Sequence, residues 1–387
     1  MTARLHDVVI AGAGPVGGTL ALALADAGLD VVALDAREPG ATPRGDRSLA
    51  LSHGARLILE RLAIWPALAA TPNAVTPISS IDISQAGGFG VAVLDAADHG
   101  LPALGYVVSY RALGAALDAA LAKRAITMRF GAAVTHVGGT PAYAAVTLAD
   151  GDTLTARLAA VADGTGATVA GIARERRDYG QVALVAHVDM TPPQAGRAYE
   201  RFTPHGPLAL LPVQGRYALV WTATPREAQR LVALDEPQFL RELQEHFGDR
   251  AGRFKEISRR ASFPLKLRTV NTPVALRTAI VGNAAQALHP IAGQGLNLGL
   301  RDAASLAAIV ASIPRERVGE CAMLSAYRES RRRDAARGVA FTDFLVGAFA
   351  DSHRIPTWGR GLALAALDLF PPARRALASR MIHGAAR

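Results

Sequence analysis

The sequence predicts an α/β fold with α+β elements, and three features carry that expectation. The first 35 residues contain a strand, a glycine turn, a helix and a second strand, in DVVIAGAGPVGGTLALALADAGLDVVALD (7–35). Beyond residue 78 the pattern shifts to short β segments punctuated by turns, as in ISSIDISQAGGFGVAVLDAADHG (78–100). From about residue 322 to 387 it becomes helical, with mixed apolar and arginine-rich faces.

The first unit is Rossmann-like because each part has a physical task. Asp7 to Ala11 is a short apolar strand, and Gly12, Gly14 and Gly17 give G-x-G-x-x-G. Gly12 permits the tight turn, Gly14 lets backbone approach a pyrophosphate, and Gly17 lets the helix pack on the strand. The helix starts at Pro15 and stops at Gly28; its free N–H groups and partial positive charge face a phosphate. The next strand, Val31 to Leu34, ends on Asp35, 18 residues after Gly17, where a carboxylate can accept bonds from a ribose diol. An acid there favours an unphosphorylated adenosine ribose, hence NAD or FAD over NADP. The alternative is a plain tight turn between strand and helix. Candidate contacts of this unit are Gly12, Gly14, Pro15, Val16, Gly17, Asp35, Ala36 and Arg37.

A nicotinamide dehydrogenase would continue with further βαβ units, and this chain does not. One helix is expected near residues 52–70. GYVVSYRALGAALDAALAKR (105–124) gives a strand and an amphipathic helix, and ITMRFGAAVTHV (126–137) opens another β segment. VTLADGDTLTA (146–156) is a hairpin with Asp150-Gly151 at its turn, and LAAVADGTGATV (158–169) runs from a strand into Asp163-Gly164. No second dinucleotide fingerprint follows, so a nicotinamide donor would bind transiently, without a domain of its own.

Composition excludes several classes. The 387 residues suit one large domain or two interleaved ones, and half are hydrophobic, enough for a sizeable core. A net charge of +9 fits an anionic ligand, an anionic membrane surface or nucleic acid. The dense run Arg331-Arg332-Arg333 reads as a solvated helix face. Cys321 is the single cysteine, so no intramolecular disulfide forms, and no cysteine motif makes it a nucleophile. The ten histidines have no metal-ligand spacing, and neither GxSxG nor a Walker-type loop occurs. No metal is expected. No signal-peptide layout and no run of about 18 apolar residues is present, which suggests a cytoplasmic protein with membrane-surface contact left open.

Three motifs in order, the N-terminal GxGxxG, the Ala162-Asp163-Gly164 turn and GNAAQALHPIAGQGLNLG (282–299), resemble the group A flavoprotein monooxygenases of the aromatic hydroxylase type. The resemblance covers almost the whole chain. DRSLALSHGARLILERL (46–62), DYGQVALVAHV (178–188), YERFTPHGPLALLPV (199–213) and LHPIAGQGLNLGLRDA (288–303) are most similar to the ubiquinone-biosynthesis hydroxylases. The neutral GNAAQ (282–286) resembles the branch acting on 2-polyprenyl-6-methoxyphenol, where sister hydroxylases have GDAAH.

The resemblance implies FAD as cofactor and NAD(P)H or another donor as a transient reductant. It implies dioxygen and a polyprenylated phenol as substrates, with a flavin C4a-hydroperoxide as oxidant. Nucleic acid is not implied. The implied architecture is a Rossmann-like FAD-binding domain (1–70, 101–170 and 268–312) interleaved with a β-sheet substrate domain (71–100 and 171–267), followed by a C-terminal helical region (313–387). Arg47 and Arg111 would lie along the FAD, and Asp163 near its pyrophosphate. The arginine usual soon after that turn is missing, because the chain reads ATVAGI (167–172). Gly282, Asn283, Pro290, Gly293, Gln294, Gly295, Leu296 and Asn297 would cradle the ribityl chain and ring, glycines giving clearance and amides giving hydrogen bonds. His289 is a weak candidate for acid–base work and is more naturally a packed histidine. YERFTPHGPLALLPV and RYALVWTA (216–223) would supply an apolar wall, and no residue that activates the phenol is identified. The C-terminal helices would cover the substrate domain, touch the inner membrane surface peripherally, or meet partners in a ubiquinone-biosynthesis complex; oligomeric state is left open. Two other readings stay open: a flavin-dependent reductase or dehydrogenase of this fold, and a flavin-stabilised quinone-binding subunit.

Overall fold

The computed structural model describes residues 4–41, 47–164, 166–204, 206–287, 294–332, 334, 336 and 357–383. The chain opens with β1 (Leu5–Ala11), α1 (Pro15–Asp26) and β2 (Val31–Leu34). β3 (Ser48–Ser52), α2 (His53–Arg61), α3 (Ile64–Ala70), β4 (Val75–Ile78), β5 (Ser80–Gln85) and β6 (Val91–Asp95) follow. Then come β7 (Gly105–Ser109), α4 (Tyr110–Leu121), β8 (Ile126–Arg129), β9 (Val134–Gly139), β10 (Ala144–Leu148), β11 (Thr153–Val161) and β12 (Thr168–Val169). The middle of the chain is β13 (Arg174–Thr191), β14 (Arg197–Thr203), β15 (Gly206–Val213), β16 (Arg216–Ala223), α5 (Pro225–Ala233), α6 (Glu236–Phe247), β17 (Arg253–Ile257) and β18 (Ala261–Val270). It closes with β19 (Val274–Ala275), β20 (Thr278–Ile280), β21 (Gln286–Ala287), α7 (Gln294–Ala311), a helix over 321–332 here called α8, α9 (Thr357–Leu369) and α10 (Pro371–His383).

Among the described residues these strands make two large sheets and one small one. The first runs β12-β9-β10-β11-β1-β2-β8, with β20 on β11 and β19 on β20. Its centre is parallel: β1 pairs with β11 and β2, and β2 with β8. Those strands are apolar end to end because helices cover one face and a second apolar layer covers the other. The second sheet runs β21-β18-β13-β16-β15-β14-β5-β6, with β17 on β13. It is half-covered, so burial alternates along β15, where Leu208, Leu210 and Pro212 are buried and Ala209, Leu211 and Val213 are partly open. One face packs Tyr199, Tyr217 and Trp221 against Phe239, Leu243 and Phe247 of α6. The other face is the wall of a cavity. The small sheet, β3-β7-β4, lies outside both.

Helix α1 explains how the first turn is held. Pro15 sits in its first turn, where a missing N–H costs nothing, and Gly28 just past its end has φ +79°. A methyl group at Gly17 would sit 1.8 Å from the Gly12 carbonyl oxygen, so only glycine lets α1 leave β1 this closely. A side chain at Gly299 on α7 would meet Val16 at 2.7 Å, which packs α7 onto the same helix start.

Two sequence expectations change. The helix near 52–70 is two helices, because Ala63 adopts the left-handed conformation (φ +57°) and turns the chain between α2 and α3. The arginine run is not a solvated face: Arg331 is only 5% exposed. Its Nε donates to Asp302 (2.7 Å) and its Nη2 to Asp334 (2.6 Å), while Arg301 also donates to Asp334 (2.8 Å). Arg332 does remain at the surface, paired with Glu329, and Arg333 lies outside the described residues. A helix buries one residue in three or four, so a run of three like charges must place its members on different faces.

Candidate functional site

A single cavity of ≈ 1180 Å³ connects the first turn with the second sheet. Small-molecule sites usually enclose about 300–1,000 Å³. This one has room for a dinucleotide and a second molecule. It has two unlike walls.

The first wall is made of backbone and polar groups. Gly12, Gly14, Pro15, Val16, Asp35 and Arg37 line it. Gly12 has φ +93°, and a Cβ there would meet the Asp163 Cα at 2.7 Å, so the turn and the Asp163 loop are locked together. A Cβ at Gly14 would meet nothing within 4 Å: that backbone faces open space, as a phosphate cradle requires. The Asp35 carboxylate accepts N–H bonds from Ala13 (3.2 Å) and Arg37 (2.9 Å), so it organises the turn as well as facing the cavity. Arg37 forms a bidentate pair with Asp118 of α4 (2.9 and 2.5 Å), and that pair, with Phe130 beneath the guanidinium, fixes this edge. Ala36 and Gly17 stand behind the lining rather than in it.

Arg47 and Arg111 meet at the start of α4. The Arg47 guanidinium lies over the Tyr110 ring, 4.3 Å from its centroid, and both arginines line the cavity. Asp163 and Gly164 close the wall from below. Burial raises the Asp163 carboxyl above its usual range, and the Ala167 N–H on its Oδ2 (2.5 Å) partly offsets that. Its Oδ1 is buried and has no hydrogen-bond partner among the described residues.

The strand–helix segment after β20 completes the first wall. Asn283, Gly295 and Leu296 line it, and Gly295 leaves its side clear, with only the Asn283 Oδ1 at 3.7 Å from a would-be Cβ. Gly282 lies just behind (φ +62°) and donates its N–H to Asp302 (3.0 Å). Asp302 also accepts from Gln286 (3.0 Å) and Arg331. Burial pushes its carboxyl up, with Arg331 pulling the other way. This buried network holds the turn and went unrecognised in the sequence, although Asp302 stands only 19 residues after Asn283.

Asn297 also has a structural task. Its amide faces the protein: Oδ1 accepts from the Ser52 N–H (2.8 Å) and Nδ2 donates to the Ala50 carbonyl (3.0 Å). It therefore anchors β3, whose Ser48, Leu49 and Ala50 form part of the cavity lining. Gln294 is the first residue of α7 and borders a smaller recess beside Asn297. His289, Pro290 and Gly293 lie outside the described residues.

The second wall is apolar. Ile81 and Ile83 of β5, Ala198 and Phe202 of β14, Ala209 and Leu211 of β15, and Val220 of β16 form it. Helices α9 and α10 roof it with Leu364, Leu367, Leu377 and Met381. α9 is seated closely: a Cβ at Gly361 would lie 2.5 Å from the Phe89 carbonyl, and Asp368 accepts the Val93 N–H (3.0 Å). One acid breaks this wall. Glu200 lies between Ala198 and Phe202 on the cavity side of β14, and burial pushes its carboxyl up to about 7. Among the described residues its Oε1 has no hydrogen-bond partner. The signal for it was an acid inside an alternating strand, but Arg201 beside it left open which of the two faces inward.

The residues on the first wall fit FAD: a glycine cradle with free space, arginines and an acceptor without a partner among the described residues. The comparisons with known proteins agree. The FAD binding domain family matches residues 6–342. Ubiquinone hydroxylase UbiL of Rhodospirillum rubrum is 35% identical over 382 residues, covering 96% of this chain and 88% of that protein. The 3-demethoxyubiquinol 3-hydroxylase of Escherichia coli is 33% identical over 315 residues, covering 79% of this chain and 80% of the relative. The solved p-nitrophenol 4-monooxygenase PnpA of Pseudomonas putida superposes with a TM-score of 0.78 over 99% of both chains; at 18% identity it speaks for the fold alone. The chain belongs to the FAD binding domain family and, within it, to the ubiquinone-biosynthesis hydroxylases, which makes it an FAD-dependent monooxygenase.

Proposed function

We propose that this protein hydroxylates the ring of a polyprenylated methoxyphenol on the way to ubiquinone. The observation that carries this reading is the continuity of one cavity from the glycine turn to the apolar wall under α9 and α10. A cofactor on the first wall then meets an apolar ring on the second without solvent between them.

Bound FAD supplies the redox chemistry, accepting electrons from a reduced nicotinamide and activating dioxygen toward an electron-rich ring. The chain's own residues do the rest. Gly12, Gly14 and the N-terminus of α1 hold the pyrophosphate, Asp35 the adenosine ribose, and Arg47 and Arg111 offset phosphate charge. Asn283, Gly295 and Leu296 flank the ring, where the start of α7 favours negative charge. The aliphatic wall excludes water, which protects the activated oxygen from loss as hydrogen peroxide. In this reading residues 1–70, 101–170 and 268–312 form the cofactor domain, 71–100 and 171–267 the substrate sheet, and 313–387 the cover.

The prenyl chain needs an apolar exit, and α9 is apolar on both sides. Leu364 and Leu367 face the cavity, while Trp358 (63% exposed), Leu362 and Leu369 (82%) are bare, and Phe370 follows at its end. That outer face, in a chain of net charge +9, supports peripheral contact with an anionic membrane that stores the substrate. Among the described residues no helix is long and apolar enough to cross a membrane.

The test uses FAD-loaded protein, NADH or NADPH, a short-tail 2-prenyl-6-methoxyphenol and ¹⁸O-labelled dioxygen. One labelled oxygen in the ring product is expected. Release of hydrogen peroxide with no labelled product would overturn the reading.

A further inference from the structure

The substrate wall is built mainly from aliphatic and aromatic side chains, and Glu200 is the one acid in it among the described residues. β5 presents Ile81 and Ile83 beside it, and β15 presents Ala209 and Leu211. The charged neighbours on β5 and β14 are on the other face: Asp82 is paired with Arg250 (3.0 Å), and Arg201 donates to Ser84 (3.3 Å). Further along the cavity face of the sheet, His187 donates nothing to Glu200, and Asp189 and Arg216 pair with each other (2.6 Å). Arg360 of α9 is the other charged side chain on this part of the lining among the described residues, and Glu200 forms no ion pair with it. A carboxyl so placed is costly to ionise, and no cation among the described residues pairs with it. Glu200 lines the cavity, and a hydrogen-bond donor held there would offset that cost; a phenol hydroxyl is the donor that the ring of an apolar substrate carries.

We propose that Glu200 receives the phenolic proton during hydroxylation, its carboxylate facing the substrate hydroxyl across the cavity. The proposal rests on the hydroxylation reading above. As the ring attacks the electrophilic oxygen, a π pair forms the new C–O bond, and the pair bonding that oxygen to its neighbour leaves with the neighbour. The phenolic O–H becomes strongly acidic in this step, and Glu200 takes its proton. The attacked carbon then loses its hydrogen as a proton, the C–H pair restores the aromatic ring, and Glu200 returns its proton to the phenolic oxygen. Overall, phenol, dioxygen, reduced nicotinamide and one proton give diol, water and oxidised nicotinamide, with the carboxylate regenerated. Its raised pKa, near neutral pH, is the value that makes a carboxylate a competent base for a phenol.

The experiment compares FAD-loaded wild type with Glu200→Gln. Turnover of the short-tail methoxyphenol by wild type should rise with pH through about 7. In Glu200→Gln it should fall by about 10²–10⁴-fold at pH 7.5, with unchanged flavin content, and climb only toward the phenol's own ionisation. Ring-fluorinated phenols, already ionised at pH 7.5, should close most of that gap. An equal deficit for acidic and ordinary phenols, or no deficit, would overturn the proposal. A second readout needs no turnover: 2-methoxy-4-nitrophenol bound to oxidised protein should ionise at higher pH on wild type than on Glu200→Gln, because the carboxylate disfavours a second anion. Equal ionisation on both removes the carboxylate from the hydroxyl and defeats the proposal. A shifted ionisation with no labelled product from any phenol leaves the contact standing and defeats the hydroxylation reading instead.

Discussion

The two walls of the cavity are built by different rules. The cofactor wall is mostly backbone: Gly12, Gly14 and Gly295 shape it by what they lack, and buried side chains such as Asp302 brace it from behind. The apolar wall, where we propose the substrate sits, is mostly side chain, drawn from four strands and two helices that are far apart in the chain. A backbone wall recognises a phosphate ligand through N–H groups that any sequence offers once the turn forms. A side-chain wall recognises by shape and by the few polar groups it admits. The first should therefore fail when its bracing fails, and the second when its one acid is changed.

The largest effect should come from behind the cofactor wall. Arg331→Leu leaves Asp302 and Asp334 buried without their shared cation, and should cost about 3–5 kcal/mol in urea unfolding of the apoprotein. Asp334, held down to about 2 because its arginine partners outweigh burial, loses one of those partners. A loss under about 1 kcal/mol would show that the network does not brace the turn.

On the substrate wall the sign is opposite. The Glu200 carboxyl is raised, so the folded protein keeps its proton to about 7 while the unfolded chain releases it near 4.5. Its contribution is complete below the unfolded value and is lost as pH rises through that window. Glu200→Gln should therefore gain stability relative to wild type by about 2–3 kcal/mol between pH 5 and pH 8, at about 1.4 kcal/mol per pKa unit. Denaturant midpoints that move in parallel at both pH values would contradict it.

Asn297→Ala separates anchoring from cofactor contact. It strips partners from the Ser52 N–H and the Ala50 carbonyl, and should cost about 1–3 kcal/mol even in apoprotein. A variant that is stable as apoprotein but poor in flavin would show a direct role at the ring. The smallest effect on the fold should be Gly14→Val: its backbone is extended (φ −66°) and its side is open, so stability should move by no more than about 0.5 kcal/mol. Flavin content, read at 450 nm, should nonetheless drop sharply, since the valine fills the phosphate cradle. Full flavin occupancy would remove Gly14 from that cradle.

The difference between the walls is also a difference in what could be read. The strand Val31–Leu34 and the helix from Pro15 lie where the sequence placed them, because the turn, the capping glycine and the apolar runs act within about 30 residues. The break at Ala63 escaped notice because a left-handed alanine has no sequence mark. Arg331 was misjudged because a guanidinium has many possible partners, and the buried Asp302 it finds is 29 residues away; the Ser52 partner of the Asn297 amide, 245 residues away, was equally hidden.

What the sequence determined by itself was the dinucleotide turn, the β-rich middle and the membership of a flavin hydroxylase family, all set by short-range spacing and motif. What only the tertiary structure decided was which way YERFT faces. Side chains alternate along β14, and its pairing with β5 and β15 places Glu200 over the cavity and Arg201 over Ser84 on the far side. A shift of one residue in that register would exchange them, so the chemistry of the apolar wall depends on strand pairing, in part between β14 and β5, more than 100 residues apart.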